Sequence, residues 1–296
     1  CASCHHPAFG FADGRALSAG VGTAGDGERL GPGRDASGVS LVTGAAILQE
    51  PRNAPTVLNT AFNGRESQEP TSESFQFLDG RVSLGLEVQA QEPVTDRVEM
   101  AGDAYGRDHL GDALTGDDIR DSLTVRIRRI PGYVDLFLAA YPQELSAADD
   151  IQRAHVPQSP SACQRALVTR GSRYDRFVAG DAGAFAAAES RGFEIFFDKG
   201  QCGDCHFGPM LSDYKFHVQG AADAYPAGFP GKDGEGHDFG RFHADPVEFA
   251  NQRYAFRTLT LRMIAETAPY FHSGSARTLE DVVAFYDRGG QGPDDV

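Results

Sequence analysis

The sequence predicts a mainly α fold in two halves, and three observations predict it. A five-residue pattern, Cys-x-x-Cys-His, occurs twice: at Cys1-Ala2-Ser3-Cys4-His5 and at Cys202-Gly203-Asp204-Cys205-His206, one copy in each half of a 296-residue chain. Apolar residues recur at three- and four-residue intervals in several segments, the spacing of a helix face. Glycine (35) and proline (16) gather between those segments and make the connections long loops. Nothing predicts a parallel sheet or a repeating strand pattern.

The elements follow in order. Residues 10–51 read as irregular, and 52–59 and 75–81 as compact turns. Residues 82–90 form a short helix with Leu84, Leu86 and Val88 inside. Residues 117–130 form a longer one, with Ile119, Leu123, Ile127 and Ile130 at helical spacing, and 133–140 continue apolar. A helix over 151–168 runs around Cys163 and is interrupted by Pro157 and Pro160. Cys163 belongs to no motif and is expected to be a buried apolar thiol. Residues 177–181 read as a link between domains. Residues 182–197 form the helix that delivers the chain into the second motif, with Phe185, Phe193 and Phe196 facing cofactor or core. Residues 213–245 are a glycine-rich loop. The final helix covers 278–286: Thr278 caps it, and Leu279, Val282, Val283 and Tyr286 recur on one side. Gly289-Gly290 stops it. The length suits two domains of about 150 residues, expected at 1–175 and 176–296.

The formal net charge is −15 and the pI about 4.9. That balance argues against nucleic acid, whose phosphates require a positive partner, and suits solubility or a basic protein partner. No apolar run approaches the roughly 20 residues of a membrane span.

In a Cys-x-x-Cys-His motif two thiols can form thioether bonds to the vinyl groups of a heme, and the adjacent histidine can ligate its iron. Four of the 5 cysteines are used in this way. A zinc-binding or disulfide-exchanging Cys-x-x-Cys is the competing use, but it leaves the histidine in both copies unexplained. Two covalently bound c-type hemes are therefore expected, one on Cys1, Cys4 and His5, the other on Cys202, Cys205 and His206. Covalent heme implies export, hence a periplasmic or otherwise exported protein whose leader has been removed. Cys1 has no preceding helical turn to dock its motif, so residues upstream of it are expected.

Further motifs come in a fixed order. Phe11-Ala12-Asp13-Gly14 is followed by Arg52-Asn53-Ala54-Pro55-Thr56-Val57-Leu58-Asn59, Phe77-Leu78-Asp79-Gly80-Arg81, Leu86-Glu87-Val88-Gln89-Ala90, Pro93 and Val98-Glu99-Met100. The second half has Thr258-Leu259-Thr260-Leu261-Arg262, Thr267-Ala268-Pro269-Tyr270-Phe271-His272-Ser273-Gly274, Thr278-Leu279-Glu280 and Phe285-Tyr286. Through nearly its whole length the chain resembles the bacterial diheme cytochrome c peroxidase family, which includes the MauG-type enzymes.

The resemblance implies two cytochrome c-like domains with long loops. It makes the N-terminal heme the peroxide-reactive one, with His5 as proximal ligand and Gln89 and Glu99 as distal polar pair. A carboxylate near peroxide can take the proton from one oxygen and return it to the other, and a glutamine can orient the bound oxygen without adding charge. The peroxidase branch ligates the second heme with His206's counterpart and a methionine. At the matching position this chain has Tyr286, as MauG-type enzymes do, and none of Met100, Met210 and Met263 lies in that final segment. No histidine stands between Gly14 and Pro51 to close the first iron, which also favours the MauG-like branch. The resemblance further implies calcium, with Asn53 as side-chain ligand and the carbonyls of Thr267 and Pro269 as donors.

There are departures. Leu78 stands where the family has tryptophan, the chain has no tryptophan at all, and one extra residue falls between Asp79 and Gln89. The implied function is reduction of hydrogen peroxide through a high-valent heme, with electrons from a small redox protein such as a cytochrome or cupredoxin. The alternatives are MauG-like oxidation of amino-acid side chains on a partner protein, or a non-catalytic diheme protein for electron transfer or peroxide sensing.

Overall fold

The computed structural model describes residues 4–18, 49–63, 75–83, 85–101 and 114–290. Cys1 and Leu84 lie outside them, as does most of the irregular segment expected over 10–51. Eight α-helices and one two-stranded ladder are found among the described residues, so the fold is mainly α. The chain divides into two compact units that interleave along the sequence, one holding Leu86–Cys163 and the other His5–Leu17, Pro51–Gly85 and Gln164–Val296. The division at 1–175 and 176–296 is a different one, made by heme motif.

The first unit begins with two single-turn helices, α1 (Leu86–Gln89) and α2 (Glu92–Thr95), and a wide π-type turn over Arg97–Ala101. The expected helix over 82–90 is shorter than its apolar pattern, because Gly85 takes φ +91 and Val82 bridges to Gln76 instead. Helix α3 (Gly116–Arg128) opens on a capping box in which Thr115 and Asp118 satisfy each other's backbone N–H groups. Asp117 and Asp118 at its start and Arg126 and Arg128 at its end complement the helix dipole. Helix α4 (Pro131–Ala140) starts with proline at its first position, where no N–H is needed. Ile127, Phe137, Leu145 and Ile151 form the core, joined by Leu123, Val134, Leu138, Tyr141 and Val156. Ile130 falls between α3 and α4 and is exposed.

Helix α5 (His155–Ala166) keeps both prolines, Pro157 in its first turn and Pro160 inside. It buries His155, Pro157 and Ser161. Cys163 is exposed, which corrects the expected buried thiol: two residues past Ser161 is a rotation of about 200°, onto the opposite face.

In the second unit, Phe177 and Val178, the first two residues of the expected link, close helix α6 (Arg173–Val178). Phe177 stacks on Phe185 at 4.4 Å and meets Phe193 edge-on at 5.0 Å, so this stretch is an aromatic cluster. Helix α7 (Ala187–Phe197) starts five residues later than expected, after a turn at Asp181 and Gly183. The glycine-rich loop contains a strand, β1 (Phe216–Val218), which pairs antiparallel with β2 (Ala255–Arg257) in the register Phe216↔Arg257, His217↔Phe256, Val218↔Ala255. Helix α8 (Leu279–Asp287) has the expected Thr278 cap, completed by Asp281. Its buried residue is Phe285, not Val283 or Tyr286, which face outward. Gly290 N–H bonds to Phe285 O at 2.9 Å and closes the helix. Among the described residues no helix is long and apolar enough to cross a membrane.

Candidate functional site

The second heme motif is set by the end of α7. Cys202–Asp204 make one 3-10 turn, and His206 N–H bonds to Cys202 O at 2.9 Å. A side chain at Gly203 would put its Cβ 2.5 Å from the Phe197 ring, so only glycine passes there. His206 Nδ1 lies 2.9 Å from Leu211 O. That bond fixes the ring and leaves Nε2 for a metal. Desolvation lowers the His206 pKa, against the Leu211 carbonyl, and favours the neutral imidazole that iron requires. Phe196 stands 6.5 Å from the His206 ring, and Phe197 and Phe207 present exposed apolar rings. Burial, followed by the charge of Asp213, raises the Cys205 pKa.

Tyr286 comes to this motif from α8. Its hydroxyl donates to Gln219 Oε1. The residue is 44% exposed, but partial desolvation of its phenol, then the Cys202 and Cys205 thiols, push its pKa up to about 12. Two thiols, an imidazole with Nδ1 engaged and Nε2 open, a phenol and apolar rings are a donor set and lining that fit a c-type heme.

The first motif repeats the arrangement. His5 Nδ1 lies 3.1 Å from Phe11 O. Desolvation pushes the imidazole down to about 4, against the carbonyls of Phe11 and Pro55. The turn that returns Phe11 to His5 is built on Pro7–Phe9 and on Gly10 at φ 56. A Cβ on Gly10 would sit 2.9 Å from Thr267 Cγ2. Cys4 is half-buried.

Gln89 and Glu99 belong to the other unit, half-buried on α1 and on the Arg97–Ala101 turn. Asp96 Oδ1 accepts from the N–H groups of Val98 at 2.8 Å and Glu99 at 3.1 Å. The carboxylates of Glu50, Asp96 and Glu99 lie within 4.8 Å of one another.

Of the three expected calcium ligands, Asn53 and Pro269 meet: Asn53 Nδ2 donates to Pro269 O at 3.2 Å and to Arg15 O at 2.7 Å. Thr267 is buried two residues from Pro269. A cation held there needs the Asn53 amide turned so that its oxygen joins the carbonyls.

Sequence reasoning missed the role of Arg52. Its guanidinium is buried between Asp79, at 2.7 Å, and Asp238, at 2.5 and 2.8 Å. Burial opposes the Asp79 charge, but Arg52 and Arg81 outweigh it and hold that carboxyl well below the usual range. Asp238 lies in the glycine-rich loop with no periodicity to mark it. It was also missed that Arg257 and Tyr214 are buried.

The family model of the di-haem cytochrome c peroxidases matches residues 1–183. The chain belongs to the diheme cytochrome c peroxidase family. Use of two c-type hemes follows from that membership. Among relatives of the diheme peroxidase family, the methylamine utilization protein MauG of Methylorubrum extorquens is 30% identical, over 98% of this chain and 64% of the relative. Cytochrome c551 peroxidase of Pseudomonas aeruginosa is 32% identical, over 88% of this chain and 66% of the relative. The chain thus spans about two thirds of the length of these relatives. A crystal structure of a MauG-like protein associated with microbial copper homeostasis superposes with a TM-score of 0.68 at 30% identity, covering 99% of this chain and 73% of that one.

Proposed function

We propose that this chain is the diheme part of an exported oxidoreductase that reduces hydrogen peroxide to water with electrons from a small redox protein. The observation that carries the reading is the repeated arrangement of His5 and His206, each with its Nδ1 held by the carbonyl of a residue a few positions on and its Nε2 left for a metal. Cys1, Cys4 and His5 hold one heme in the first domain, 1–175, and Cys202, Cys205 and His206 the other in the second, 176–296. When bound, the hemes supply iron that stores electrons and passes them to peroxide.

The chain's own residues do the rest. Glu99 takes the proton from the attacking oxygen of peroxide and returns it to the leaving oxygen, and Gln89 orients the substrate by hydrogen bonding. With two electrons and two protons from outside, the balance is one hydrogen peroxide to two waters. Asn53, Thr267 and Pro269 hold calcium. With heme bound, Tyr286 would be the residue to ligate the second iron, whose positive charge would offset the cost of ionising the phenol. The acidic net charge of −15 suits a basic electron donor.

Tyr286, where MauG-type enzymes have a tyrosine and the peroxidase branch a methionine, favours a second reading, MauG-like oxidation of side chains on a partner protein. The experiment is peroxide added to the diferric protein without reductant, followed by freeze-quench Mössbauer and optical spectroscopy. Reaction only after one heme is reduced, with fast turnover on a small donor protein, bears out the peroxidase. A long-lived doubly oxidised state favours the second reading. Inertness in both states sinks both and leaves electron transfer.

A further inference from the structure

Arg257 is a buried cation with no counterion among the described residues. It is 6% exposed, at the end of β2, where its backbone N–H bonds to Leu78 O at 2.8 Å and its Nε to Phe77 O at 3.1 Å. Its Nη1 is buried and makes no hydrogen bond among the described residues. Other buried arginines of the same unit are compensated. Arg52 has two carboxylates, and Arg241 lies over the rings of Phe75, Phe216 and Phe249 and donates to Asp79 O. Among the described residues no carboxylate lies within ion-pair distance of Arg257. Asp79, which acts on it from further away, is engaged by Arg52 and Arg81. Desolvation pushes the Arg257 pKa down to about 10, against the influence of Tyr214 and Asp79. A buried unpaired guanidinium is destabilising, and an anion in contact with it offsets that cost.

Tyr214 is the second part of the cluster. It is 7% exposed, and its hydroxyl is buried with no hydrogen-bond partner among the described residues. The backbone brings the two orphaned donors alongside: Phe216, two residues after Tyr214, pairs with Arg257 in the β1–β2 ladder. The chain that carries them is that of the second heme motif. Asp213, next to Tyr214, donates its N–H to Cys205 O at 2.7 Å, and Leu211, three residues earlier, engages His206. Thr258, next to Arg257, donates to Lys215 O at 2.8 Å. A planar oxyanion with several acceptor lone pairs matches a guanidinium edge and a phenol.

We propose that Arg257 and Tyr214 form a buried anion site that takes a propionate carboxylate of the heme attached at Cys202 and Cys205. The proposal rests on the diheme reading above. The pair neutralises one propionate, raises the potential of that heme, and ties its edge to the Phe77-Leu78 turn.

The test uses the heme-loaded protein, with the heme count per chain taken first by the pyridine hemochrome assay. Fewer than two hemes overturns the diheme reading itself. With two present, Arg257→Gln is expected to lower the midpoint potential of the Cys202/Cys205 heme and shift its propionate bending band in the resonance Raman spectrum. Arg257→Lys restores most of both, and Tyr214→Phe shifts the band less. If Arg257→Gln does not fold, Tyr214→Phe decides: a shift of the propionate band of the Cys202/Cys205 heme supports the site, and an unshifted band overturns it. Unchanged potentials and bands in the folded variants overturn it, as does a shift confined to the other heme. A wild-type potential that follows phosphate against chloride at fixed ionic strength, with the response lost in Arg257→Gln, assigns the site to a free oxyanion and also overturns it.

Discussion

Arg52 and Asp238, 186 positions apart, meet in the interior as a fork of two hydrogen bonds, Nε to Oδ2 at 2.5 Å and Nη2 to Oδ1 at 2.8 Å. Asp79 takes the third direction at 2.7 Å, and both carboxylates are almost fully buried. The guanidinium thereby ties the segment beginning at Pro51 to the Asp79 turn and the loop before β2. Arg52→Gln leaves two buried carboxylates without their cation and is expected to cost about 3–5 kcal/mol. Arg52→Lys recovers only part, since an ammonium cannot reproduce the fork. Urea unfolding of the heme-loaded protein measures both. A loss below about 1 kcal/mol for Arg52→Gln, a value typical of exposed pairs, contradicts the account.

How far the sequence carried depended on the kind of signal. Helix α3 was legible within a residue or two because Ile119, Leu123 and Ile127 repeat at helical spacing. Helix α8 was legible in extent but not in facing: Val283 and Phe285 are equally apolar, and only packing against Phe271 at 4.9 Å turns Phe285 inward. The Cys-x-x-Cys-His motifs announced their chemistry because local spacing is the chemistry. Asp238 and Arg257 gave no such signal. Their partners lie far away in sequence, and a charged residue in an irregular loop reads as a solvated one until the fold closes over it. The strand β1 was missed because it is three residues long and is held by β2 across a long excursion.

Asp175 gives a pH dependence of known sign. Arg262 donates to it at 2.5 and 3.1 Å, and this hydrogen bonding, against desolvation, holds the carboxyl well below its ordinary 3.8. The unfolded chain therefore binds more protons than the folded one just below pH 3.8. The pair's contribution is present above that pH and lost as pH falls below it. Asp175→Asn is expected to cost about 1–2 kcal/mol at neutral pH, a charge-assisted bond's worth, and to flatten the decline of stability between pH 4 and 3. Unfolding midpoints at pH 7, 4 and 3 check it. Parallel declines in wild type and variant contradict it.

Glu99 is expected to set the rate of the peroxide reaction and not the resting spectrum. Glu99→Gln keeps the size of the side chain and its place on the Arg97–Ala101 turn but removes the proton acceptor. The bimolecular rate with hydrogen peroxide should fall about 10²- to 10⁴-fold, the range for loss of a positioned acid–base group. Gln89→Ala should fall less, because it removes only orientation. Stopped-flow mixing reads both, and a change under threefold in Glu99→Gln removes Glu99 from the proton path.

Tyr286 has two possible employments that one pair of variants separates. Its hydroxyl anchors α8 to Gln219. Tyr286→Phe loses both the anchor and any iron ligation, whereas Gln219→Ala loses the anchor alone. If the phenolate ligates the second iron, Tyr286→Phe changes that heme's spin-state marker bands and raises its potential, because an anionic oxygen ligand that stabilises ferric iron has gone. Gln219→Ala then leaves the ligation bands in place. Equal and small effects in the two variants make Tyr286 a packing residue of the last helix. The second iron would then need its sixth ligand from elsewhere, and the reading that rests on tyrosine ligation would lose its support.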